Sequence, residues 1–482
     1  MDHFKEQSGK LHGRSVAIIG FSLIVLGFLL FLFFRSKTLR PASETTSHTS
    51  STANTVANQS QLDHQRRARR GAIPATAEEI VASKVAQFGR DRLGIARAMA
   101  RHYGIEVPPE VEAFFAAVES GDWARIDAVF KSLQERVRGD DDLEHLRKLW
   151  PAILETYGVA EIAHSWPAQK LLDYGNAALG SLREGMVYIG GSDPGRFIPT
   201  LLNETSDGQR HMVLTQNALA DQSYLEYVNF LYGDRLGTLS REESQRAFQD
   251  YITDAQKRFE HDRDFPNEPK QVRPGEELQM IDNRFQVSGT VAVMAINERL
   301  LRMLMEKNPD VSFAMQESSS LPSTYAGAAP LGPLLELRAR DASVPFTPEQ
   351  AGQSVGYWSD VRTQFGASDP PESRNAWAHM AVAQANFLSS QNFGAEAEQI
   401  YALASQLAPA YFEAVGRLAR HFDETGRRPE ALALIEEFLS RNPDRRDTVE
   451  TFRNTWLTSR TSAPAIVPSG QGLIEAQAGT GP

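Results

Sequence analysis

The sequence contains no cysteine in its 482 residues. This absence excludes disulfide bonds, thiolate metal sites and a cysteine nucleophile. An excess of basic residues is also missing, since the formal net charge is −11, and we therefore expect no binding of nucleic acid. The motifs of zinc proteases, serine hydrolases, kinases and nucleotide-binding loops are absent as well. The sequence accordingly predicts no cofactor, no metal and no identifiable catalytic residue.

The longest apolar run lies near the N-terminus. Residues Ser15 to Phe34 contain no charged side chain, and Arg35 ends the run. As a helix this run would measure about 30 Å, which matches the hydrocarbon core of a bilayer. A cleaved signal peptide has a shorter apolar region and ends in small residues, so the pattern favours an uncleaved single-pass anchor over residues 15–34. Basic residues flank both ends almost equally. We expect the tail, 1–14, inside and the body outside the cytoplasm, which is the periplasm in a bacterium.

Composition divides the remaining chain into segments. The stretch from Ala42 to Gln61 is mostly Ser, Thr, Ala, Asn and Gln without an aromatic residue, which is typical of disorder. Thr76 and Glu79 form a capping-box pattern that predicts the start of a helix. The predicted segments are a disordered linker over 35–75, a helical domain over 76–150, an α/β domain over 151–345, a second helical domain over 346–460 and a disordered tail over 461–482.

Three short apolar runs in the middle segment predict strands. They are Met186 to Ile189, Met212 to Leu214 and Val311 to Met315, and helical patterns separate them. Strands that alternate with helices indicate a parallel sheet with both faces covered. Because only three strands are evident, we expect a small sheet.

Polar residues follow these predicted strands. Asp193 lies in a glycine-rich loop after the first strand, Asn217 and Asp221 follow the second, and Glu317 to Ser320 follow the third. Loops at the carboxyl ends of parallel strands are where such folds bind ligands. One interpretation is that Asp193, Asn217 and Asp221 hold a ligand such as a sugar hydroxyl. The other is that they cap the following helices, with Asp193 at the N-cap and Pro194 as the first helical residue.

An internal repeat with an offset of 34 residues covers about 374–445. The matching pairs are Ala385/Ala419, Leu388/Phe422, Ala397/Ala431, Tyr401/Ile435, Ala404/Phe438 and Pro409/Pro443. This segment resembles tetratricopeptide repeats, in which small residues let two helices approach closely and a proline ends the second helix. The tryptophan and glycine common early in that motif are absent here. We expect flanking helices, about Pro348 to Phe365 and Arg446 to Trp456, to cover the open ends.

The first helices of the two repeats are predicted to present six residues on the inner face of the repeats. The residues on this face are Val382, Asn386, Ser389, Gly416, Arg420 and Asp423. Asn386 and Arg420 are the residues predicted to contact a protein or peptide partner. The alternative is an ordinary solvated helix surface.

A second resemblance concerns residues 180–340. The turn Gly190-Gly191-Ser192-Asp193 after a strand, the Asn-containing loop from Thr215 to Tyr224, and Asn308-Pro309-Asp310 before a third strand carry it. These features are similar to the soluble C-terminal part of bacterial multi-span membrane proteins related to protein O-mannosyltransferases. This chain has one predicted span, so the resemblance implies an accessory module and transfers no catalytic residue.

The sequence therefore predicts one N-terminal transmembrane helix, an α/β domain with a small parallel sheet, and a tetratricopeptide-like helical region. Our leading hypothesis is a membrane-anchored, non-enzymatic interaction protein that binds a partner through its repeats. The alternative is an accessory sugar-binding or glycosyl-transfer-related module that uses the edge of the α/β sheet. The sequence leaves open whether the protein is an enzyme, and it favours a protein without enzymatic activity.

Overall fold

The computed structural model describes residues 75–461, except for 140–143, 274, 282–283, 317–324, 339–342 and 367. Most of these residues are helical, and a small mixed sheet lies in the middle of the chain. The predicted anchor over 15–34, the linker as far as residue 74 and the tail after residue 461 lie outside the described residues. Within the described part, no helix combines the length and the apolar character that a membrane span requires.

Between residue 75 and the sheet, the structure describes five helices. They are α1 (Ala77–Tyr103), α2 (Pro109–Ser120), α3 (Trp123–Gly139), α4 (Glu144–Ser165) and α5 (Ala168–Gly180). The capping box predicted at Thr76 is confirmed, since its hydroxyl accepts a hydrogen bond from the Glu79 backbone N–H and the Glu79 carboxylate accepts one from Thr76 N–H. The predicted neighbours α2 and α3 pack against each other. The segment boundary predicted at residue 150 lies inside α4.

The central segment alternates helices and strands. Its elements are β1 (Val187–Gly190), α6 (Asp193–Glu204), β2 (Met212–Thr215), α7 (Gln222–Tyr232), α8 (Arg241–Asp264), β3 (Glu277–Ile281), β4 (Arg284–Ser288), α9 (Thr290–Lys307), β5 (Phe313–Met315), β6 (Ala329–Leu331) and β7 (Leu334–Leu337). The main sheet has the strand order β2-β1-β5-β7-β6. Strand β1 lies between β2 and β5 and is parallel to both.

The prediction of a parallel sheet is right for three strands and wrong for the sheet as a whole. Strand β7 runs antiparallel to β5, and β6 runs antiparallel to β7. The turn between β6 and β7 contains Gly332 at φ 56°, a left-handed conformation that glycine adopts without a steric penalty. Pro330 lies in β6, and an edge strand tolerates proline because it needs hydrogen bonds on one side only. The separate hairpin of β3 and β4 was not predicted either.

In the described residues from the sheet to residue 461, six helices follow. They are α10 (Pro348–Thr363), α11 (Pro371–Ser390), α12 (Gly394–Leu407), α13 (Phe412–Glu424), α14 (Arg428–Arg441) and α15 (Arg446–Thr461). Helices α11 and α12 pack as one pair, and α13 and α14 pack as another. Helix α14 begins 34 residues after the start of α12, and it ends 34 residues after the end of α12. The matched alanines Ala385 and Ala419 are both fully buried, so the sequence offset corresponds to equivalent packing positions.

One apolar core connects the three predicted folded segments. It extends from Val81 in α1, through the strands, to Leu418 in α13. A second, much smaller core lies in the last helices that the structure describes. Its buried members are Val415, Ala419, Ala431, Ile435, Phe438, Val449 and Trp456. The sheet and the first helix pair therefore share their packing, whereas α14 and α15 depend on the small core.

Candidate functional site

The carboxyl ends of β1, β2 and β5 form the edge at which the sequence predicts a ligand. The chain leaves β1 towards β2 on one side and reaches β5 on the other, so a crevice is expected between β1 and β5. Gln316 follows β5 and is only 1% exposed. Its Oε1 accepts a hydrogen bond from the Ser192 hydroxyl at 3.3 Å, and its Nε2 donates to the Tyr174 hydroxyl at 3.1 Å. The side chain of Gln316 therefore occupies this crevice.

Two glycines allow the close packing around Gln316. A Cβ atom at Gly195 would collide with Gln316 Oε1, and one at Gly190 would collide with the carbonyl oxygen of Gly195. The Tyr188 hydroxyl also donates a hydrogen bond to the Gly195 carbonyl. These contacts hold the first turn of α6 against the end of β1. The glycine-rich loop therefore has a packing role here.

Asp193 does not occupy the position predicted for it. Ser192 is the N-cap of α6, and its hydroxyl accepts a hydrogen bond from the Gly195 backbone N–H at 3.3 Å. Asp193 is the first helical residue, and its carboxylate forms an ion pair with Arg196 at 2.8 Å. The Asp193 side chain is 57% exposed. The N-cap prediction was wrong by one residue, because Ser192 has the extended backbone that a cap requires.

Asn217 and Asp221 both stabilise local structure after β2. Asn217 Nδ2 donates to the carbonyl oxygen of Gly191 at 3.0 Å, which joins the loops that follow β1 and β2. Asp221 is the N-cap of α7, and its Oδ1 accepts hydrogen bonds from the backbone N–H and the hydroxyl of Ser223, each at 2.8 Å. Burial raises the pKa of the Asp221 carboxyl, and the hydrogen bonds from Ser223 oppose this rise. The capping interpretation holds for Asp221.

Gln216 was not singled out from the sequence, yet it is the least satisfied polar residue near this edge. It follows β2 directly and is fully buried. Neither its Oε1 nor its Nε2 has a hydrogen-bond partner among the described residues. A sequence signal was available, because Gln216 and Gln316 are both the first residue after a buried strand. The predicted third loop, 317–320, lies outside the described residues.

Two cavities lie away from the strand edge. The larger, about 390 Å³, lies between α7 and the segment that leads into α8. Glu226 lines it and already forms an ion pair with Lys148 at 2.6 Å. The smaller, about 190 Å³, lies between the β6–β7 turn and α10. In the part of the chain that the structure describes, no cluster of three or more His, Cys, Asp or Glu side chains is suited to a metal ion.

The residues predicted to contact a partner lie among other side chains of the repeats. Asn386 Oδ1 accepts a hydrogen bond from the Tyr401 hydroxyl at 2.7 Å. The guanidinium of Arg420 stacks 5.0 Å from the centre of the Phe452 ring. Both residues are half-buried. The prediction that Val382 is presented to a partner was wrong, since α11 packs against α5, α10 and β7 and Val382 is fully buried.

The face predicted for the second repeat is covered by α15. A Cβ atom at Gly416 would lie 3.3 Å from the Phe452 ring. Asp423 Oδ2 accepts a hydrogen bond from the Trp456 indole N–H at 3.0 Å. Arg420 lies against the same helix through its contact with Phe452. The sequence placed these residues on one helix face correctly, and the tertiary structure determines that α15 covers it.

Comparison with known proteins yields no match: no family model fits the chain, and no characterised protein or solved structure is significantly similar to it.

Proposed function

We propose that this chain is a membrane-anchored interaction protein that binds a protein partner through its C-terminal helices. The single observation that carries the proposal is the pair of helix hairpins α11/α12 and α13/α14, whose second helices are offset by 34 residues. A period of this length is typical of helical repeats that present extended binding surfaces. The tetratricopeptide assignment is part of this proposal and rests on the repeated pattern of small and apolar residues.

The predicted anchor gives the proposal its location. The uncharged run 15–34 would hold the body at a membrane, and we propose that the body faces the periplasm. A scaffold of this kind needs no catalytic residue. The contacts at the strand edge are consistent with this function, because Asp193 and Asp221 each interact with a group of the same helix, and Asn217 joins the loops that follow β1 and β2.

The proposal is tested by affinity purification of the full chain from detergent-solubilised membranes. We expect one partner to be recovered, and Arg420→Glu to reduce its recovery at least tenfold, because the charge reverses at the proposed contact. Arg441→Glu is the matched control, since Arg441 is exposed on α14 and forms an ion pair with Glu437 on the same helix. Recovery of no partner, or equal loss with both variants, would contradict the proposal.

A second candidate function has one observation in its favour. The buried amide of Gln216, which has no hydrogen-bond partner among the described residues, lies at the strand edge where a sugar-binding module would place its ligand. An amide offers both a donor and an acceptor to a hydroxyl group. Thermal stabilisation of the full chain by a panel of saccharides tests this candidate. Stabilisation that is lost in Gln216→Met and kept in Gln353→Met would support it, since Gln353 is exposed on α10.

A further inference from the structure

Helix α15 covers the α13 face, which we define as Gly416, Arg420 and Asp423. Each of these residues meets an aromatic side chain of α15. Phe452 lies over Gly416 and under the Arg420 guanidinium, and Trp456 donates its indole N–H to Asp423. The three contacts differ in chemistry. The α13 face therefore matches a specific pattern of side chains and not merely an apolar surface.

The pattern on α15 is short and regular. Val449, Phe452 and Trp456 follow one another at intervals of three and four residues, which places them on one side of a helix. Val449 and Trp456 are buried, and Phe452 is half-buried. The other side chains described between 446 and 454 are exposed, except for the half-buried Arg453. Among the described side chains of α15, these three residues therefore make all of the apolar contacts, and we call them the α15 stripe.

Helix α15 has weak intrinsic stability. Thr448, Thr451, Asn454 and Thr455 are poor helix formers, and most of the stability of a helix in a protein comes from its tertiary packing. Its stripe packs in the small core, which is separate from the core that joins the sheet to the other helices. Segments with few buried contacts open locally at a low free energy. Helix α15 is therefore the element of the array best suited to leave its position.

We propose that α15 is an exchangeable occupant of the α13 face, and that the protein partner binds there with a helix of the same pattern. This inference rests on the proposed function, since it assumes that the repeats bind a partner. The partner helix carries an aromatic residue over Gly416 and, four residues later, an indole or comparable N–H donor for Asp423. The partner competes with α15 for these contacts.

Asp423 gives this surface its specificity. The residue is 8% exposed, and loss of a hydrogen bond to a buried carboxylate is costly. A helix with phenylalanine in place of Trp456 fills a similar space, but it cannot donate the indole hydrogen bond to Asp423 Oδ2. Gly416 contributes shape, because a side chain larger than hydrogen at this position would meet the Phe452 ring. Arg420 adds a cation–π contact with the same ring.

The test measures binding of a labelled peptide with the sequence of residues 446–461, acetylated and amidated at its ends. The protein is the full chain, compared with the full chain carrying Phe452→Ala and Trp456→Ala. In the native chain, α15 is tethered at an effective concentration of about 1 mM and excludes the peptide. We expect the variant to bind the peptide at least tenfold more tightly. A peptide with Trp456→Phe should then bind at least tenfold more weakly, and Asp423→Ala in the protein should remove this difference.

Two results would overturn the inference. One is equal peptide affinity of the native chain and the variant. The other is equal binding of the Trp and Phe peptides. A second measurement covers the case in which the variant does not fold. In the native chain, hydrogen exchange of the backbone amides of residues 449–456 should be at least tenfold faster than that of the α13 amides, and equal rates would also refute exchange of α15.

Failure of this inference is distinguishable from failure of the proposed function. The purification described above uses the native chain and detects a partner whether it replaces α15 or binds elsewhere. If the native chain recovers a partner but the Phe452→Ala and Trp456→Ala variant recovers the same amount, the partner binds elsewhere and α15 is a fixed structural helix. If the native chain recovers no partner, the proposed function itself is wrong.

Discussion

The side-chain oxygen of Gln384 accepts a hydrogen bond from the indole N–H of Trp358 at 2.9 Å, and both side chains are fully buried. The same oxygen also accepts a hydrogen bond from the Ser354 hydroxyl. The amide nitrogen donates to the carbonyl oxygens of Gly332 and Leu334, at 2.6 and 2.9 Å. All of the donors and acceptors of this amide are therefore used. One residue of α11 thus joins α10 and the β6–β7 turn to the helical array.

We predict that Gln384→Met lowers the free energy of unfolding by about 2–4 kcal/mol, although the side-chain volume is nearly unchanged. The substitution removes the hydrogen bonds of this amide to an indole N–H, a hydroxyl and two carbonyl oxygens, of which that of Leu334 is buried and that of Gly332 is half-buried. Loss of a hydrogen bond at a buried polar group carries a desolvation cost. Urea denaturation monitored by circular dichroism measures the change. Gln353→Met on the exposed side of α10 is the control, and we expect a change below about 0.5 kcal/mol there. Equal effects of the two substitutions would show that the network does not stabilise the fold.

The same substitution at Gln216 is expected to have the opposite sign. Because neither atom of the Gln216 amide has a partner in the described structure, Gln216→Met removes a buried polar group without breaking a hydrogen bond. We predict an increase of about 1 kcal/mol in the free energy of unfolding. The urea midpoint of the variant checks this. A decrease of similar size would mean that a bound water molecule or ligand satisfies the amide in solution.

A buried arginine gives a third prediction. Arg92 in α1 is 2% exposed and forms ion pairs with Glu155 at 2.7 Å and with Glu204 at 3.6 Å. Burial lowers the pKa of the Arg92 guanidinium, but Glu155, Tyr227, Glu204 and Tyr232 together raise it more, so the group stays charged. We expect Arg92→Met to lower the free energy of unfolding by about 3–5 kcal/mol, because two partly buried carboxylates lose their counter-charge.

An exposed ion pair provides the matched control for Arg92. Arg97 and Glu112 lie 2.7 Å apart, and their side chains are 50% and 46% exposed. Such pairs contribute about 0–1 kcal/mol, so Arg97→Met should change thermal and urea midpoints only slightly. In addition, Glu155→Gln should recover part of the loss in the Arg92→Met background. A loss of equal size at Arg92 and Arg97 would contradict the argument from burial.

The fourth prediction concerns pH. Burial raises the pKa of the Glu413 carboxyl, but hydrogen bonds from His379 and Tyr411 outweigh this effect and lower the pKa from 4.5 to about 2. A carboxyl whose pKa is lower in the folded state stabilises the fold above its unfolded pKa, and this contribution is lost as pH falls from about 4.5 towards 2. The Glu413 side chain is 33% exposed, so screening limits the contribution to about 1–2 kcal/mol.

Thermal denaturation of the native chain and of Glu413→Gln at pH 7, 4 and 3 measures this contribution. We expect the native chain to be more stable at pH 7 and the difference to shrink towards pH 3. Glu430→Gln is the control, because Glu430 is 56% exposed and its pair with Arg427 is at the surface. A difference between the native chain and Glu413→Gln that does not change with pH would contradict the lowered pKa.

Parts of the strand edge were predictable from residue types alone. The capping role of Asp221 and the strands around it follow from local sequence, because a cap depends on residues within one turn. The cap of α6 was assigned one residue too late, since Ser192 and Asp193 are both good caps and the backbone angle decides between them. Gln216 and Gln316 were missed. Whether a buried amide finds a partner depends on helices α5, α6 and α9, which are distant in sequence.

The sequence by itself determined the elements with strong local signals: the capping box at Thr76, the three parallel strands and the 34-residue offset of the C-terminal helices. Each depends on residues close together in the chain or on a regular period. The tertiary structure alone decided that β6 and β7 complete a mixed sheet, that α11 is buried on several sides, and that α15 covers Gly416 and Asp423. The physical reason is that burial depends on which surfaces meet, and residues far apart in the sequence supply those surfaces.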